Sequence, residues 1–332
     1  MKPAISPAIL AFLFTLLSAC SVDAQDDAGQ SEHDATRISA AGPDQKLSQS
    51  VNCKAVKLQV LGAGGPEIND GMASSSFIIW INGKAGIMVD AGGGSSLNFE
   101  KSGADFNDLD AILLTHLHVD HSVAVPVYVK AGYFSGRDSN LPLLGPDAGG
   151  DFPSTVDFTR SLFSDQQKSV YPYLSDNFRQ QPSTDFLIKP QNVNPEGKVW
   201  HRKLSEKLSV SAINVIHGAV PAIAWRVDYG QCSITFSGDM NGSSGNLQQL
   251  ALNSNLLVAN NAIPEDAGRI AKFLHMTPLT IGKIAKKAKV KKLLLAHFML
   301  RTKDVIPETL KIIRKNYQGE IIIASDLLKV DP

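Results

Sequence analysis

One short stretch restricts this chain more than any other: Thr115-His116-Leu117-His118-Val119-Asp120-His121. Three histidines and a carboxylate fall within six positions, although the whole chain holds only 8 histidines. They directly follow Ala111–Leu114, a continuous apolar run of the kind that forms a strand covered on both faces. A helix is predicted over Val119–Lys130. The turn between strand and helix can aim several side chains at one point while the strand holds them rigid. Neutral imidazole and carboxylate are the ligands that suit Zn²⁺, with bonds of about 2.0–2.2 Å.

Three further ligand types close apolar runs elsewhere. His217 ends Val210–Ile216, Asp239 follows Ser233–Ser237 in Phe236-Ser237-Gly238-Asp239, and His297 ends Leu293–Ala296. A polar residue closing one strand means little alone; four such closures in one chain point to a shared site. Other strands are predicted at Val56–Gly62, Ser76–Asn82, Gly86–Asp90, Leu208–His217 and Ala222–Tyr229. Helices are predicted at Pro278–Ala288 and Val305–Lys315, with Gly319 as a C-cap of the latter. Interleaved strands and helices favour a layered α/β sandwich over an all-β barrel. The stretch from Gly132 to about Trp200 is rich in Pro, Ser, Asp and aromatic residues with poor periodicity. It is long for a plain loop, which predicts partial helix and a place over the active site.

The pattern H-x-H-x-D-H, then a later His, a Gly-Asp and a last His, resembles the metallo-β-lactamase-fold hydrolases over roughly Val56 to Ala324. The resemblance implies an α/β fold, a four-layer αββα sandwich with a binuclear zinc site between two sheets, with manganese or iron as alternative metals. His116, His118 and His217 would bind one zinc, Asp120, His121 and His297 the other, and Asp239 would bridge both. Asp90, in Val89-Asp90-Ala91-Gly92, matches the family's aspartate that stands behind a ligand and orients its imidazole. Two zincs sharing a water lower its pKa toward about 7, so a metal-bridging hydroxide forms at neutral pH; Asp120 is assigned to the catalytic set on this account.

Within that superfamily, Leu61-Gly62-Ala63-Gly64-Gly65-Pro66, Leu144-Gly145-Pro146 and His275-Met276-Thr277 look like motifs of the ribonuclease Z and arylsulfatase-like branch. The Gly-rich run is not a dinucleotide fingerprint, because Glu67 stands at the third glycine and no helix pattern follows. The resemblance makes His275 the residue that protonates the leaving group or stabilises its charge, which suits an imidazole. The sequence departs from ribonuclease Z where a His-Glu-Ala-Thr segment is replaced by Asn260-Asn261-Ala262-Ile263, so the glutamate partner of that histidine is missing. Met240 and Val119 also replace the usual Thr and Gly. There is no basic insertion suited to clamping tRNA. Lys+Arg (32) balance Asp+Glu (32), giving a formal net charge of zero; a duplex nucleic acid partner, which needs a basic face, is not expected.

The N-terminus MKPAISPAILAFLFTLLSAC carries one lysine, an apolar run from Ala8 to Leu17, and Leu17-Ser18-Ala19-Cys20. This resembles the bacterial lipobox, with residues 1–19 as the signal peptide and Cys20 as the acylated residue. Several acyl chains at about 0.8 kcal/mol per buried methylene would hold the protein to a membrane. Ser21 in place of aspartate points to the outer membrane rather than the inner. Residues 20–52, poor in large apolar side chains, read as a tether, and 53–332 as the hydrolase domain. Cys53 and Cys232 could bridge in an oxidising periplasm, but two small buried thiols are the expected state.

The sequence therefore predicts an exported, lipid-anchored zinc hydrolase acting on a phosphodiester or similar small ester, on a small-molecule substrate, with a homodimer allowed for. Its alternatives are β-lactam or lactone hydrolysis and a mononuclear iron oxidoreductase of persulfide type. Asp239 argues against a true β-lactamase, and degraded ligands, which a mere binding lipoprotein would show, are not seen. No G-x-S-x-G occurs, which disfavours a serine hydrolase.

Overall fold

A computed structural model describes residues 53–332 apart from 167 and 180–184. Residues 1–52, on which the expected signal peptide, the acylated Cys20 and the expected tether fall, lie outside the described residues. In chain order the strands are β1 (Val56–Gly62), β2 (Ser76–Ile81), β3 (Lys84–Val89), β4 (Ala111–Leu113), β5 (Leu141–Pro146), β6 (Ile188–Val193), β7 (Trp200–Lys203), β8 (Leu208–His217), β9 (Val220–Tyr229), β10 (Cys232–Phe236), β11 (Leu256–Asn260), β12 (Lys292–Ala296), β13 (Glu320–Ile323) and β14 (Lys329–Val330). The helices are α1 (Ser95–Lys101), α2 (Val119–Ser122), α3 (Val125–Gly132), α4 (Thr155–Phe163), α5 (Asn246–Leu250), α6 (Arg269–Leu274), α7 (Pro278–Lys287), α8 (Leu300–Lys303) and α9 (Ile306–Arg314).

The strands form two seven-stranded mixed sheets, β14-β1-β2-β3-β4-β5-β6 and β13-β12-β11-β10-β9-β8-β7. Period-two alternation explains why the strand sequences look uniformly apolar. In β1, β2 and β4, Leu58, Val60, Phe77, Ile79, Ala111 and Leu113 face the second sheet. Leu61, Ile78, Ile112 and Leu114 face the outer helices together with Tyr128 and Phe163. Both faces are dry, so both parities must be apolar. Phe77 and Phe236 meet between the sheets with ring centroids 5.5 Å apart. This two-sheet, helix-flanked sandwich is the expected fold.

Several expectations need correction. The single helix over Val119–Lys130 is two helices, α2 and α3, separated at Val123-Ala124; Ala124 donates instead to the Ala91 carbonyl at 2.9 Å. Gly319 is no cap: α9 ends at Arg314, and Lys315 holds the C-cap position. Gly319 is instead pressed against Tyr317, where a Cβ would collide with the phenol.

The segment 132–200 has the expected partial helix and brings Phe152 to the site, its ring centroid 6.3 Å from that of His118, but most of the segment is not a cover. It supplies β5 and β6, which extend the first sheet in parallel register from Leu141↔Ile188 to Pro146↔Val193. Its α4 packs on them through Thr155, Thr159 and Phe163, with Ser154 as N-cap accepting from the Asp157 amide.

Cys53 and Cys232 are not two free thiols but a disulfide, with Cα atoms 5.6 Å apart. The sequence gives no sign that the approach to β1 and the start of β10 are neighbours. Sheet stacking brings them together.

Candidate metal centre

Every ligand type singled out above emerges at one end of the two sheets. His116 follows β4, His118 is the N-cap of α2, and Asp120 and His121 lie in its first turn. His217 is the last residue of β8, Asp239 lies just past β10, and His297 directly follows β12. Carboxyl ends of parallel strands are where α/β sheets place ligands. The turn after β4 is fixed to the other sheet by Trp225, whose indole donates to the Leu114 carbonyl at 2.9 Å, and by the Ile223 amide on the Thr115 carbonyl at 2.9 Å.

The side chains converge in four groups whose ligand atoms lie within 4.8 Å of one another: His116, His118 and His217; His116, His121 and Asp239; Asp120, His121 and His297; and His217, Asp239 and His275. His217 Nε2 is 3.3 Å from His118 Nδ1, and His297 Nε2 is 3.2 Å from Asp120 Oδ2. Asp239 lies between the histidines, with Oδ2 3.7 Å from His217 Nε2 and Oδ1 3.4 Å from His297 Nε2. These residues are almost wholly buried, His118 and His275 being the partial exceptions.

The donor set fits a divalent metal on a structural test. His116 Nε2 and His121 Nε2 are buried with no hydrogen-bond partner. Leaving such atoms unsatisfied costs about 1–3 kcal/mol each, and a cation would satisfy both. Burial and the neighbouring His121 hold His116 well below the usual imidazole range, which keeps it a neutral ligand. Burial would also raise Asp239, but the surrounding imidazoles, His297 foremost, pull it well below the ordinary carboxylate range.

Supporting residues orient the ligands. Asp90 sits at φ 58°, a left-handed conformation that aspartate tolerates better than most residues. One of its oxygens accepts from the Thr115 amide at 2.7 Å; the other accepts from the Thr115 hydroxyl at 2.9 Å and lies 2.7 Å from His121 Nδ1. Burial pulls His121 down, but Asp90 more than offsets this and raises it to about 9. His217 Nδ1 donates to the Leu274 carbonyl at 2.9 Å, leaving Nε2 for the centre. His297 is also left-handed, φ 59°.

His275 is brought to the same place. It caps α6, and its Nδ1, buried without a hydrogen bond, is 3.6 Å from Asp239 Oδ2. Burial pushes it down to about 4. The N-cap of α7 is Thr277, so the His275 side chain is not engaged in capping that helix.

Three contributors escaped the sequence reading. Asn260 donates to Asp239 Oδ1 at 2.8 Å, which gives the first residue of the Asn-Asn departure a role. Asp326 accepts from the Ala63 and Ala73 amides and from Asn98, each at 2.9 Å, and so ties down the Gly-rich segment. Thr115 links Asp90 to His116, with Oγ1 3.1 Å from Nδ1. None stands out locally: Asn260 and Asp326 act on partners distant in sequence, and Thr115 joins its neighbour His116 to Asp90, 25 positions away. The Gly-rich segment serves close packing: a Cβ on Gly65 would come within 2.8 Å of the His297 ring.

Two sheets, outer helices and a His/Asp cluster at the strand ends define a protein of the metallo-β-lactamase fold. The sequence profile of the Metallo-beta-lactamase superfamily matches residues 69–137, which include the H-x-H-x-D-H turn. Among its relatives is ribonuclease Z of Listeria monocytogenes, 24% identical over 297 residues, covering 80% of this chain and 95% of that protein. The structure is similar to the metallo-beta-lactamase fold protein YhfI from Bacillus subtilis (TM-score 0.65, 20% identity, 83% of this chain and 99% of that one). It is likewise similar to the short form of human tRNase Z (TM-score 0.62, 18% identity, 83% of this chain and 99% of that one).

Proposed function

We propose that this chain is a binuclear zinc hydrolase acting on a phosphodiester or similar small ester. The observation that carries this is the placement of His275 beside two complete ligand groups. The first is His116, His118 and His217, the second Asp120, His121 and His297, and Asp239 lies within reach of both. Two complete sets also argue against a mononuclear iron centre. When bound, the metal pair supplies Lewis acidity and an acidified water at neutral pH. Similarity to ribonuclease Z supports a phosphodiester as the bond cleaved. The balanced charge of the chain supports a small substrate over tRNA.

The protein's own residues have separable tasks. Asp239 places negative charge between the two sets, and Asn260 fixes its rotamer. Asp90 holds His121 in the tautomer that turns Nε2 inward. His275 meets the leaving oxygen. Neither Asn260 nor Asn261 can supply the carboxylate that would raise an imidazole, and burial keeps His275 at about 4. It therefore works at neutral pH as a neutral N–H donor to the developing charge rather than as an imidazolium.

The test is metal content and turnover on the full chain. Two zincs per chain, with cleavage of bis(p-nitrophenyl) phosphate and neither a β-lactam nor a lactone, is the expected result. One iron, or ring opening alone, would overturn it. His275→Ala should lower diester turnover by about 10²–10³ with the metal count unchanged; a drop in bound metal would make His275 a ligand instead.

We also propose that the chain is held in the cell envelope through acylated Cys20, as the lipobox-like sequence suggests. Cys20→Ala should move the protein from the membrane fraction to the soluble one; an unchanged distribution would refute the anchor.

A further inference from the structure

Beside the metal centre, and sharing His275 with it, is a cavity of about 580 Å³ walled by α6 and Arg301. Its lining is unusual in composition: two arginines, Arg269 and Arg301, aliphatic Ile270 and Leu274, and no carboxylate. Among the described residues neither guanidinium lies in an ion pair, whereas Arg160, Arg179 and Arg226 each hold an aspartate. Arg301 is held in place, donating from Nε to the Ala262 carbonyl at 2.8 Å and touching Met299 Sδ at 3.2 Å. That fixes one edge of the guanidinium fork and leaves its remaining N–H groups for a ligand, an arrangement suited to a planar or tetrahedral oxyanion. Ile270 is 77% exposed, and α6 buries none of its side chains, so the helix gains nothing from the core that would explain an outward isoleucine here.

We propose that this cavity is the subsite for a second anionic group of the substrate, a carboxylate or phosphate carried beyond the scissile phosphodiester, with Ile270 and Leu274 receiving the apolar part that joins the two. The proposal rests on the phosphodiester reading above for the position of the scissile group. It narrows the substrate class to small diesters with a second anion and an apolar spacer, and it assigns Arg269 and Arg301 to specificity rather than to bond cleavage.

The experiment compares phenyl p-nitrophenyl phosphate with 4-carboxyphenyl p-nitrophenyl phosphate, which share a leaving group and differ by one carboxylate. It also measures binding of the inert phenylphosphonate and 4-carboxyphenylphosphonate by calorimetry, all on the zinc-loaded full chain. The carboxylated members should show roughly tenfold higher kcat/KM and roughly tenfold tighter binding, a preference that falls as salt rises. Arg269→Gln and Arg301→Gln should each remove most of that preference while leaving the phenyl diester rate within about twofold. Arg301→Lys, which keeps the charge but loses the fork, should recover only part of it. Equal handling of both diesters by wild type, or a preference that survives both substitutions, would overturn the subsite and leave the phosphodiesterase reading intact. Tighter binding of the carboxylated phosphonate, lost in both variants, without cleavage of either diester would overturn the reaction and leave the subsite standing.

Discussion

Asp90 Oδ2 lies 2.7 Å from Nδ1 of His121, with both side chains buried, and Asp90 occupies a left-handed backbone conformation to reach it. The carboxylate selects the tautomer that leaves Nε2 facing the other ligands. Asp90→Asn keeps the shape but loses the charge, so zinc affinity should fall by about 10–100-fold. A competition titration with a chelating dye would measure it, and an unchanged affinity would remove Asp90 from the centre.

The same pair sets a pH dependence for the metal-free protein. His121 is raised in the folded state from an ordinary value near 6.5 to about 9. A raised histidine stabilises the fold fully below its unfolded pKa, and that contribution disappears as pH climbs through the folded value. Metal-free protein should therefore lose Tm between about pH 6.5 and 9. Thermal melts of chelator-treated wild type and Asp90→Asn across that range decide it. The variant should show a flatter profile, and identical slopes would show that Asp90 does not raise His121.

Asp239 stands within 4 Å of His121, His217, His275 and His297. Asp239→Ala should abolish the second metal and lower turnover by at least about 10²-fold, a larger effect than loss of one terminal imidazole. Asn260→Ala, which removes only the hydrogen bond to Asp239, should cost closer to tenfold. Metal counted by mass spectrometry beside the diester assay separates the two; wild-type metal and rate in Asp239→Ala would sink the bridging role.

Gly65 faces the His297 ring closely enough that a Cβ would sit 2.8 Å from Cε1 and 3.1 Å from Nδ1. Gly65→Ala should push the ring off its position and reduce metal occupancy without unfolding the protein. Circular dichroism at wild-type strength with lowered zinc content is the expected pairing. Full occupancy would mean that the loop moves rather than the ring.

The Cys53–Cys232 disulfide closes a loop with a sequence separation of 179. Replacing both cysteines by alanine should cost about 2–5 kcal/mol, seen as a lower denaturant midpoint. Because the bridge lies at the opposite ends of β1 and β10 from the metal centre, zinc content should be unchanged.

The sequence by itself determined the strands that carry the ligands and the residues that close them. Ala111–Leu113 and Leu293–Ala296 are apolar on both parities because both faces of the sheet are covered there, and a polar ligand type after such a run is conspicuous. His116, His118, Asp120, His121, His217, Asp239 and His297 were legible for that reason. Local pattern reports how deeply a strand is buried but not which strand lies beside it. The family resemblance grouped His217 with His118; only the tertiary structure decided that Asn260 and Asp326 serve the site and that Cys53 bonds to Cys232. The same limit hid β5 and β6, which read as irregular cover over the site because Pro142, Gly145, Pro146 and Pro190 interrupt their apolar pattern. Their parallel pairing beside β4 comes from a sheet edge, which exists only once the chain has folded.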